Sequence, residues 1–313
     1  MQTDAVVMSA PGRVRLDRLS LNAPTDTDIV VDIDWSGISA GTERLLWSGT
    51  MPNFPGMGYP LVPGYESVGR IVEAGAASGR SLGQAVFVPG AKCFGDVRGL
   101  FGGAAARLVL PGARAVPIAD DLGERGTLLA LAATAHHAIA APNAPPPELI
   151  VGHGVLGRLL ARVAIALGHA PPMVWENRTG REAGAQGYEV TRSEDDPRRD
   201  YAAIIDASGD ASLLDQLVTR LERGGEIVLA GFYSGRLSFD FAPAFMREAR
   251  LRCAAEFLPA DLAEVQRLVA GAALSLDGLI SHRRHAAEAQ DAYRTAFDDP
   301  DCLKMILDWS KPA

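Results

Sequence analysis

The stretch that decides the fold is Leu149-Ile-Val-Gly152-His-Gly154-Val-Leu-Gly157-Arg158, near the middle of a 313-residue chain. Its first three apolar residues predict a short buried strand, and the apolar pattern beyond Gly154 predicts a helix over 155–167. Gly152 permits a tight turn, Gly154 lets backbone approach a pyrophosphate, and Gly157 allows the helix to pack closely on the strand. The helix N-terminus would then face the phosphate charge. The stretch predicts a dinucleotide-binding turn, and the alternative is a glycine-rich turn that binds nothing.

Glu176 ends the next predicted strand and lies about 20 residues beyond the glycine turn, where nucleotide-binding sheets carry an acidic residue. A carboxylate there accepts hydrogen bonds from the ribose diol of adenosine and repels a 2′-phosphate. The sequence therefore favours NAD over NADP. Arg178 and Arg181 follow closely, and their positive charge leaves NADP open.

The segments on either side of the turn have different patterns. From 148 to 257 apolar strands alternate with helical stretches, one of them near 179–186, which is typical of a doubly wound parallel sheet. The first 118 residues carry short strands separated by glycine and proline, which predicts a β-barrel-type domain. We therefore predict an α/β protein with a Rossmann domain over 141–274. Residues 1–140 and 275–313 would form a catalytic and substrate-binding domain.

Composition argues against several classes of protein. The chain has 30 basic and 38 acidic residues, and a net charge of −8 does not suit a nucleic-acid-binding face. Three cysteines without a C-x-x-C pair, and six histidines, argue against iron–sulfur clusters, four-cysteine zinc sites and a disulfide framework. The N-terminus lacks a signal-peptide pattern, and no uncharged apolar run reaches about 18 residues. We expect a cytoplasmic protein without a transmembrane segment.

Several further motifs together resemble the medium-chain dehydrogenase/reductase superfamily. Gly64-Tyr65-Glu66 stands where that family usually has Gly-His-Glu, and Asp206-Ala-Ser208-Gly and Gly224-Gly-Glu-Ile-Val-Leu-Ala-Gly231 are similar to its Rossmann segments. The resemblance spans nearly the whole chain and implies an oxidoreductase with a GroES-like first domain and a nicotinamide cofactor. Together with the glycine turn, it implies these cofactor-binding residues: Gly152, His153, Gly154, Val155, Leu156, Gly157, Glu176, Arg178, Ser208, Gly231 and Thr134.

The zinc ligands of that superfamily have no counterpart in this sequence. Zinc-containing members take them from a Cys near the first strand, the His of Gly-His-Glu and a Cys before the mid-chain helix. The matching positions are Ser39, Tyr65 and, approximately, Ala130. A hydroxyl, a phenol and a methyl group do not form the nitrogen and sulfur site that zinc prefers. We expect neither a catalytic nor a structural zinc, so protein groups would have to accept the proton of an alcohol substrate.

Tyr65, Ser39, Thr42 and Glu66 are the candidate catalytic residues, with Glu43 beside them. Tyr65 would orient the substrate oxygen, but a phenol with an ordinary pKa of about 10 needs a positive neighbour or a relay. Ser39 and Thr42 would supply such a relay. The structural alternatives are that Tyr65 fills space, that Glu66 pairs with an arginine, and that the two hydroxyls cap a turn.

Residues 35–47 and 51–66 are similar to a narrower branch of the superfamily, which acts in bacteriochlorophyll a biosynthesis for photosynthesis. That branch oxidises the 3-(1-hydroxyethyl) group of a bacteriochlorophyllide-type macrocycle to 3-acetyl with NAD. Large apolar residues on glycine- and proline-rich loops would line a pocket for such a tetrapyrrole, and the structural alternative is local packing over the end of the barrel. These residues are Trp47, Met51, Phe54, Met57, Tyr59, Phe94 and Phe101.

Two alternative functions stay open, and the resemblance also implies a homodimer. A zinc-free quinone or enone reductase would use the same fold, although Glu176 argues against the 2′-phosphate that such reductases usually bind. A regulatory protein that binds a nucleotide without catalysis would also keep the glycine turn. The superfamily often dimerises through the edge of its Rossmann sheet, which implies a homodimer through 226–232 and 251–257.

Overall fold

The computed structural model describes residues 1–53 and 55–310. Its strands are β1 (Gln2–Ala10), β2 (Arg13–Ser20), β3 (Asp28–Ile38), β4 (Leu61–Val62), β5 (Ser67–Ala74), β6 (Ala85–Val88), β7 (Arg98–Gly99), β8 (Arg107–Pro111), β9 (Val116–Pro117), β10 (Leu149–Val151), β11 (Met173–Trp175), β12 (Glu189–Thr191), β13 (Tyr201–Asp206), β14 (Leu221–Leu229), β15 (Arg250–Cys253), β16 (His282–His285) and β17 (Met305–Asp308). Its α-helices are α1 (Thr42–Ser48), α2 (Leu129–Ile139), α3 (Val155–Ala166), α4 (Leu214–Arg220), α5 (Phe241–Met246), α6 (Pro259–Ala270) and α7 (Ala289–Asp298). Short 3₁₀ segments are Gly112–Arg114, Asp120–Leu128, Ala211–Leu213 and Ala286–Glu288.

The chain divides into two compact units. The first comprises Met1–Ala130 and Leu279–Ala313, and the second is Leu131–Gly278. The predicted divisions, at 140/141 and 274/275, lie ten and four residues from the observed ones at 130/131 and 278/279. A separate role for each range stays a prediction.

The first unit contains two mainly antiparallel sheets that share one hydrophobic core. The smaller sheet has the order β2-β1-β4-β7, and the larger has the order β16-β17-β3-β5-β6-β9 with β8 also paired to β3. β3 is central because its 11 residues are long enough to pair with β17, β5 and β8. Its Ile29, Val30 and Val31 are fully buried. The end of β3 leads into α1, and this junction positions several of the predicted catalytic side chains.

The second unit contains a parallel sheet of six strands in the order β12-β11-β10-β13-β14-β15. This is the order 3-2-1-4-5-6 of dinucleotide-binding folds, which confirms the predicted Rossmann sheet. Helix α3 contributes the fully buried Leu159, Leu160 and Val163 to the interior. The strand order reverses between β10 and β13, and ligands of such sheets bind beyond the carboxyl ends of the strands at that point.

The segment between β11 and β12 is irregular, so the predicted helix near 179–186 is wrong. Gly180, Gly184 and Gly187 have φ angles of +88°, +86° and +79°. This left-handed conformation interrupts a right-handed helix, and glycine also has a low helix propensity. Residues 177–187 therefore form a loop, which we call the β11–β12 loop, directly after Glu176.

β14 lies between β13 and β15, so the prediction that 226–232 provides a sheet edge is wrong. The terminal strand on that side of the sheet is β15, which pairs with β14. Helix α5 precedes β15 and exposes three large apolar side chains. The exposed fractions are 72% for Phe241, 64% for Phe245 and 72% for Met246.

Candidate functional site

The glycine turn has the geometry that a pyrophosphate-binding turn requires. Gly152 has a φ of +97°, which favours glycine. A Cβ on Gly157 would collide with the Gly152 carbonyl oxygen, so only glycine lets α3 begin this close to β10. A Cβ on Gly154 would meet no atom within 4 Å, and Gly154 is the N-cap of α3. The backbone at Gly154 therefore borders open space, into which the helix N-terminus directs its positive dipole.

Glu176 lies beside this turn at the end of β11. Its Oε2 accepts a hydrogen bond from the His153 backbone N–H (3.1 Å), and its Oε1 accepts one from the Arg178 N–H (2.8 Å). Carboxylate oxygens have two lone pairs each, so both oxygens keep capacity for the hydroxyls of a ribose. The Arg178 side chain is exposed. The structure thus brings the predicted ribose acceptor to the glycine turn.

The His153 ring is directed into the protein and is fully buried. Its Nδ1 lies 2.7 Å from the Arg181 carbonyl oxygen, and its Nε2 lies 2.9 Å from the Tyr188 hydroxyl. Burial lowers the pKa of His153, which keeps the ring neutral at physiological pH. The ring nitrogens are therefore committed to protein partners, and only the backbone of His153 belongs to the turn.

Most of the other predicted cofactor residues lie at the ends of neighbouring elements in the same unit. Ser208 follows β13, and its N–H and hydroxyl both donate to Asp206 Oδ1, at 2.8 and 2.6 Å. The Tyr233 hydroxyl donates to the other carboxylate oxygen of Asp206 at 2.6 Å. Gly231 donates its N–H to the Asp206 carbonyl (2.9 Å). The remaining predicted positions are on helices: Val155 and Leu156 begin α3, and Thr134 lies in α2.

Three of the predicted catalytic residues form a hydroxyl cluster in the first unit. The Tyr65 hydroxyl lies 2.7 Å from Ser39 Oγ and 3.4 Å from Thr42 Oγ1. Burial and the charge of Glu66 raise the pKa of Tyr65, and the bonds to Ser39 and Thr42 only partly oppose this. Tyr65 is therefore a neutral phenol at physiological pH. The structure places two hydroxyl groups beside Tyr65, and a proton relay through them stays a prediction.

Glu66 is fully buried and pairs with Lys304, so its partner is a lysine rather than the expected arginine. Lys304 is 2% exposed, and its Nζ also donates to the Ile38 carbonyl (3.1 Å). Burial raises the pKa of Glu66, and the ammonium group opposes that rise. The second oxygen, Oε1, has no hydrogen-bond partner among the described residues. A Cβ on Gly37 would collide with Glu66 Oε2, which explains why β3 carries glycine there.

Glu43 fixes the backbone of the hydroxyl cluster from inside the unit. Its Oε1 accepts from the Ser39 N–H (3.1 Å), and its Oε2 accepts from the Tyr293 hydroxyl (2.5 Å). Burial raises the pKa of Glu43 to about 7, although both hydrogen bonds favour the carboxylate. Glu43 thus links the end of β3 to helix α7.

The residues at the positions that match the superfamily's zinc ligands do not fit zinc. Ser39 and Tyr65 offer hydroxyl oxygens that bond to each other, and Ala130 has no donor atom. Within residues 1–53 and 55–310, no three His, Cys, Asp or Glu side chains are arranged to hold a metal ion. Zinc prefers nitrogen and sulfur donors in a tetrahedral arrangement.

The predicted pocket residues have different environments. Met51 and Phe94 are buried in the core of the first unit, and Trp47, Met57 and Tyr59 pack against that core while partly exposed. Phe101 is 39% exposed, and its ring meets the Tyr65 ring edge-on with centroids 5.4 Å apart. Phe54 lies outside the described residues. The pocket stays a prediction, with Phe101 in contact with the hydroxyl cluster.

Several residues of these sites were not predicted from the sequence. Lys304, Tyr293 and Tyr188 have long-range partners that no local pattern reveals. Lys304 carried the clearest signal, because the chain has only three lysines among its 30 basic residues. In a chain whose basic residues are nearly all arginines, a lysine suggests a site that a guanidinium group does not fit.

Known proteins match this chain along its whole length. The Alcohol dehydrogenase GroES-like domain family matches residues 25–120. The 2-desacetyl-2-hydroxyethyl bacteriochlorophyllide A dehydrogenase of Rhodobacter capsulatus is 59% identical over 310 residues, which cover 99% of each chain. The protein of the same name from Cereibacter sphaeroides is 57% identical over 318 residues, covering 100% of each chain. This chain belongs to that dehydrogenase family.

Membership of this family confirms the predicted resemblance, and with it the class of enzyme: the chain is a dehydrogenase. A solved short chain alcohol dehydrogenase of Escherichia coli CFT073, complexed with NADH, has a TM-score of 0.81 and 19% identity. It covers 98% of this chain and 99% of its own. The likeness, with the matched GroES-like domain, confirms the predicted fold class. In the described part of the chain, no helix has both the length and the apolar character needed to span a bilayer.

Proposed function

We propose that this dehydrogenase oxidises the 3-(1-hydroxyethyl) group of a bacteriochlorophyllide-type macrocycle to 3-acetyl, with NAD and without zinc, in bacteriochlorophyll a biosynthesis. The substrate is inferred from the names of its two near full-length relatives. The reaction type is supported by the hydroxyl cluster, which places a neutral phenol on a relay of two further hydroxyls. We propose a cytoplasmic location for this step.

The choice of NAD rests on Glu176. The open space at Gly154 and the exclusion of any side chain at Gly157 suit a dinucleotide, whose nicotinamide ring would accept a hydride from the substrate carbon. Because Glu176 is 9% exposed and accepts two backbone N–H bonds, its charge stays beside the turn. That charge would repel the 2′-phosphate of NADP and accept hydrogen bonds from the ribose diol of NAD.

Tyr65 and its partners would manage the proton of the alcohol. A hydroxyl both donates and accepts, so Tyr65 takes the carbinol proton while passing its own proton to Ser39 or Thr42. Thr42 is half-buried, so it would exchange the proton with water. The raised pKa of Tyr65 means that it serves as a relay rather than as a standing phenolate base. Glu66 would act by its negative charge next to this path, in balance with Lys304.

The test combines cofactor choice with identification of the product. Purified protein would be incubated with the 3-(1-hydroxyethyl) pigment and NAD or NADP, and the pigment analysed by absorption and mass spectrometry. We expect loss of two hydrogen atoms from the pigment and formation of NADH in equal amount. Reduction of quinones or enones by the reduced cofactor, without oxidation of the pigment, would favour the reductase. Binding of NAD without any turnover would favour the regulatory protein.

We also propose a homodimer through β15 and α5. A terminal strand has unpaired backbone groups, and the neighbouring apolar side chains Phe241, Phe245 and Met246 are exposed. A dimer with two-fold symmetry would cover the edge of β15 and the apolar side chains of α5 in each copy. Light scattering should give a dimer for the native chain and a monomer for the Phe241→Ser, Phe245→Ser variant. A native monomer would contradict the proposal.

A further inference from the structure

His153, in the glycine turn, uses four of its polar groups to bond to Glu176, to helix α3, to the β11–β12 loop and to Tyr188 just beyond that loop. Its N–H donates to Glu176 Oε2 (3.1 Å), and its carbonyl accepts from Arg158 Nε (3.1 Å). Its ring bonds to the Arg181 carbonyl and to the Tyr188 hydroxyl. A carbonyl only accepts, so Nδ1 carries the ring proton and Nε2 accepts from Tyr188. Because the residue is fully buried, water does not replace these bonds without opening the structure.

The middle of the β11–β12 loop is held to the rest of the unit by these contacts, while Asn177 at its start bonds to Ser193. The loop lacks the predicted helix, and its three left-handed glycines separate short turns. The Arg181 carbonyl, near its middle, accepts from both His153 Nδ1 (2.7 Å) and the Arg158 guanidinium (3.3 Å). A Cβ on Gly184 would collide with that guanidinium, so the loop lies directly on Arg158. Tyr188, just beyond the loop, stacks edge-on against the His153 ring with centroids 5.6 Å apart.

Glu176 is held between the two segments that His153 joins. One carboxylate oxygen bonds to the turn at His153, and the other bonds to the loop at Arg178. If the loop separated from the turn, these two donors would move apart and the carboxylate would lose its fixed orientation. The position of Glu176 therefore depends on the fastening of the loop.

We propose that His153 is a positioning residue, whose buried imidazole fastens the β11–β12 loop to the glycine turn and so orients Glu176 toward the adenosine ribose of the cofactor. This inference rests on the proposed use of NAD. It assigns the His153 side chain to the outer side of the cofactor site, where it touches neither substrate nor cofactor. Loss of the imidazole should weaken binding of the adenosine half and leave hydride transfer unchanged.

The test compares His153→Phe, His153→Asn and Tyr188→Phe with the native chain. His153→Phe keeps a ring but loses both ring hydrogen bonds, and we expect about a tenfold rise in the KM for NAD with kcat within about twofold. His153→Asn keeps a donor near Arg181, and Tyr188→Phe removes the bond to Nε2 together with a side-chain bond to Arg162. Each should raise the KM by about threefold. His169→Asn, at the opposite end of α3, is the matched control and should change neither constant.

Equilibrium binding gives a second readout that does not depend on turnover. ADP-ribose contains the adenosine half of NAD, so its dissociation constant should rise as the KM does, whereas that of nicotinamide mononucleotide should not. An unchanged affinity for ADP-ribose in a folded His153→Phe would overturn the inference while the native enzyme remains NAD-dependent. Equally weaker binding of ADP-ribose and nicotinamide mononucleotide would also overturn it, because that result indicates a general loss of order in the cofactor site.

If His153→Phe does not fold, an unchanged KM for NAD in Tyr188→Phe and His153→Asn overturns the inference. A native chain that binds no adenine dinucleotide would instead refute the proposed function itself, and the inference with it.

Discussion

The Tyr65 hydroxyl is the group on which the proposed proton transfer depends. Tyr65→Phe removes the hydroxyl but keeps the ring, including its contact with Phe101. We expect kcat to fall by about 10²–10⁴-fold, because a positioned acid–base group contributes about that much. Steady-state kinetics with the hydroxyethyl pigment would measure it. The dissociation constant of NADH serves as control and should not change, and unchanged turnover would remove Tyr65 from the mechanism.

Removing one partner of the buried pair between Glu66 and Lys304 should lower the stability of the protein strongly. Both side chains are almost completely buried, so Lys304→Met leaves an unpaired carboxylate inside the first unit. We expect the free energy of unfolding, from urea denaturation, to fall by about 3–5 kcal/mol. The double variant Lys304→Met, Glu66→Gln should lose less, because it leaves no unpaired charge. Lys92→Met, at an exposed lysine, is the matched control and should change stability by less than about 0.5 kcal/mol.

Glu43 should make stability depend on pH between the pKa of its carboxyl group in the unfolded state and the higher pKa in the folded state. Its pKa is raised from an ordinary 4.5 to about 7 in the folded chain, so the folded state holds the proton more tightly than the unfolded state. The free energy of unfolding therefore declines as pH rises from about 4.5 to about 7, by about 3 kcal/mol from this group. Glu43→Gln cannot ionise and should lack that decline. Urea denaturation of both proteins across this range tests it, and parallel pH curves would contradict it.

At the scale of elements, the junction of β10 with α3 decides whether a cofactor fits. Gly157→Ala would press a Cβ against the Gly152 carbonyl and force α3 away from the turn. We expect a loss of about 1–3 kcal/mol in stability and weaker binding of NADH, because overpacking a tight contact displaces backbone. Fluorescence titration and thermal denaturation would measure both. Gly235→Ala is the matched control, because its Cβ would meet no atom within 4 Å; equal behaviour of the two variants would contradict the argument.

The same elements show why local sequence patterns succeed at one place and fail at another. The glycine turn is predictable because Gly152 and Gly157 each meet a local steric requirement, Gly154 leaves open space beside the helix N-terminus, and the strand and helix adjoin them directly. The β11–β12 loop is misread as a helix because its polar residues resemble an exposed helix face. Its shape depends instead on Gly180, Gly184 and Gly187 and on contacts from His153 and Arg158, which local periodicity does not contain.

At the scale of the whole molecule, the predictable part is the fold and the residue types at each site. Alternation of strands and helices and the order of motifs give both units their architecture. The partners of the site residues are not predictable in this way, because Glu43 bonds to Tyr293 and Glu66 to Lys304, residues far apart in the sequence. Such pairs form only when the sheets close around them. The sequence therefore predicts Tyr65, Ser39 and Thr42 as candidates, and the structure adds the groups that hold them.

The central claim, oxidation of an alcohol by protein groups without zinc, is tested most directly by turnover of metal-depleted enzyme. Purified protein would be dialysed against a chelator, its zinc content measured by mass spectrometry, and its rate followed with NAD and the 3-(1-hydroxyethyl) pigment. The predicted result is full turnover with far less than one zinc per chain, and no gain when zinc is added. Activity that disappears on chelation and returns in proportion to bound zinc would contradict the account.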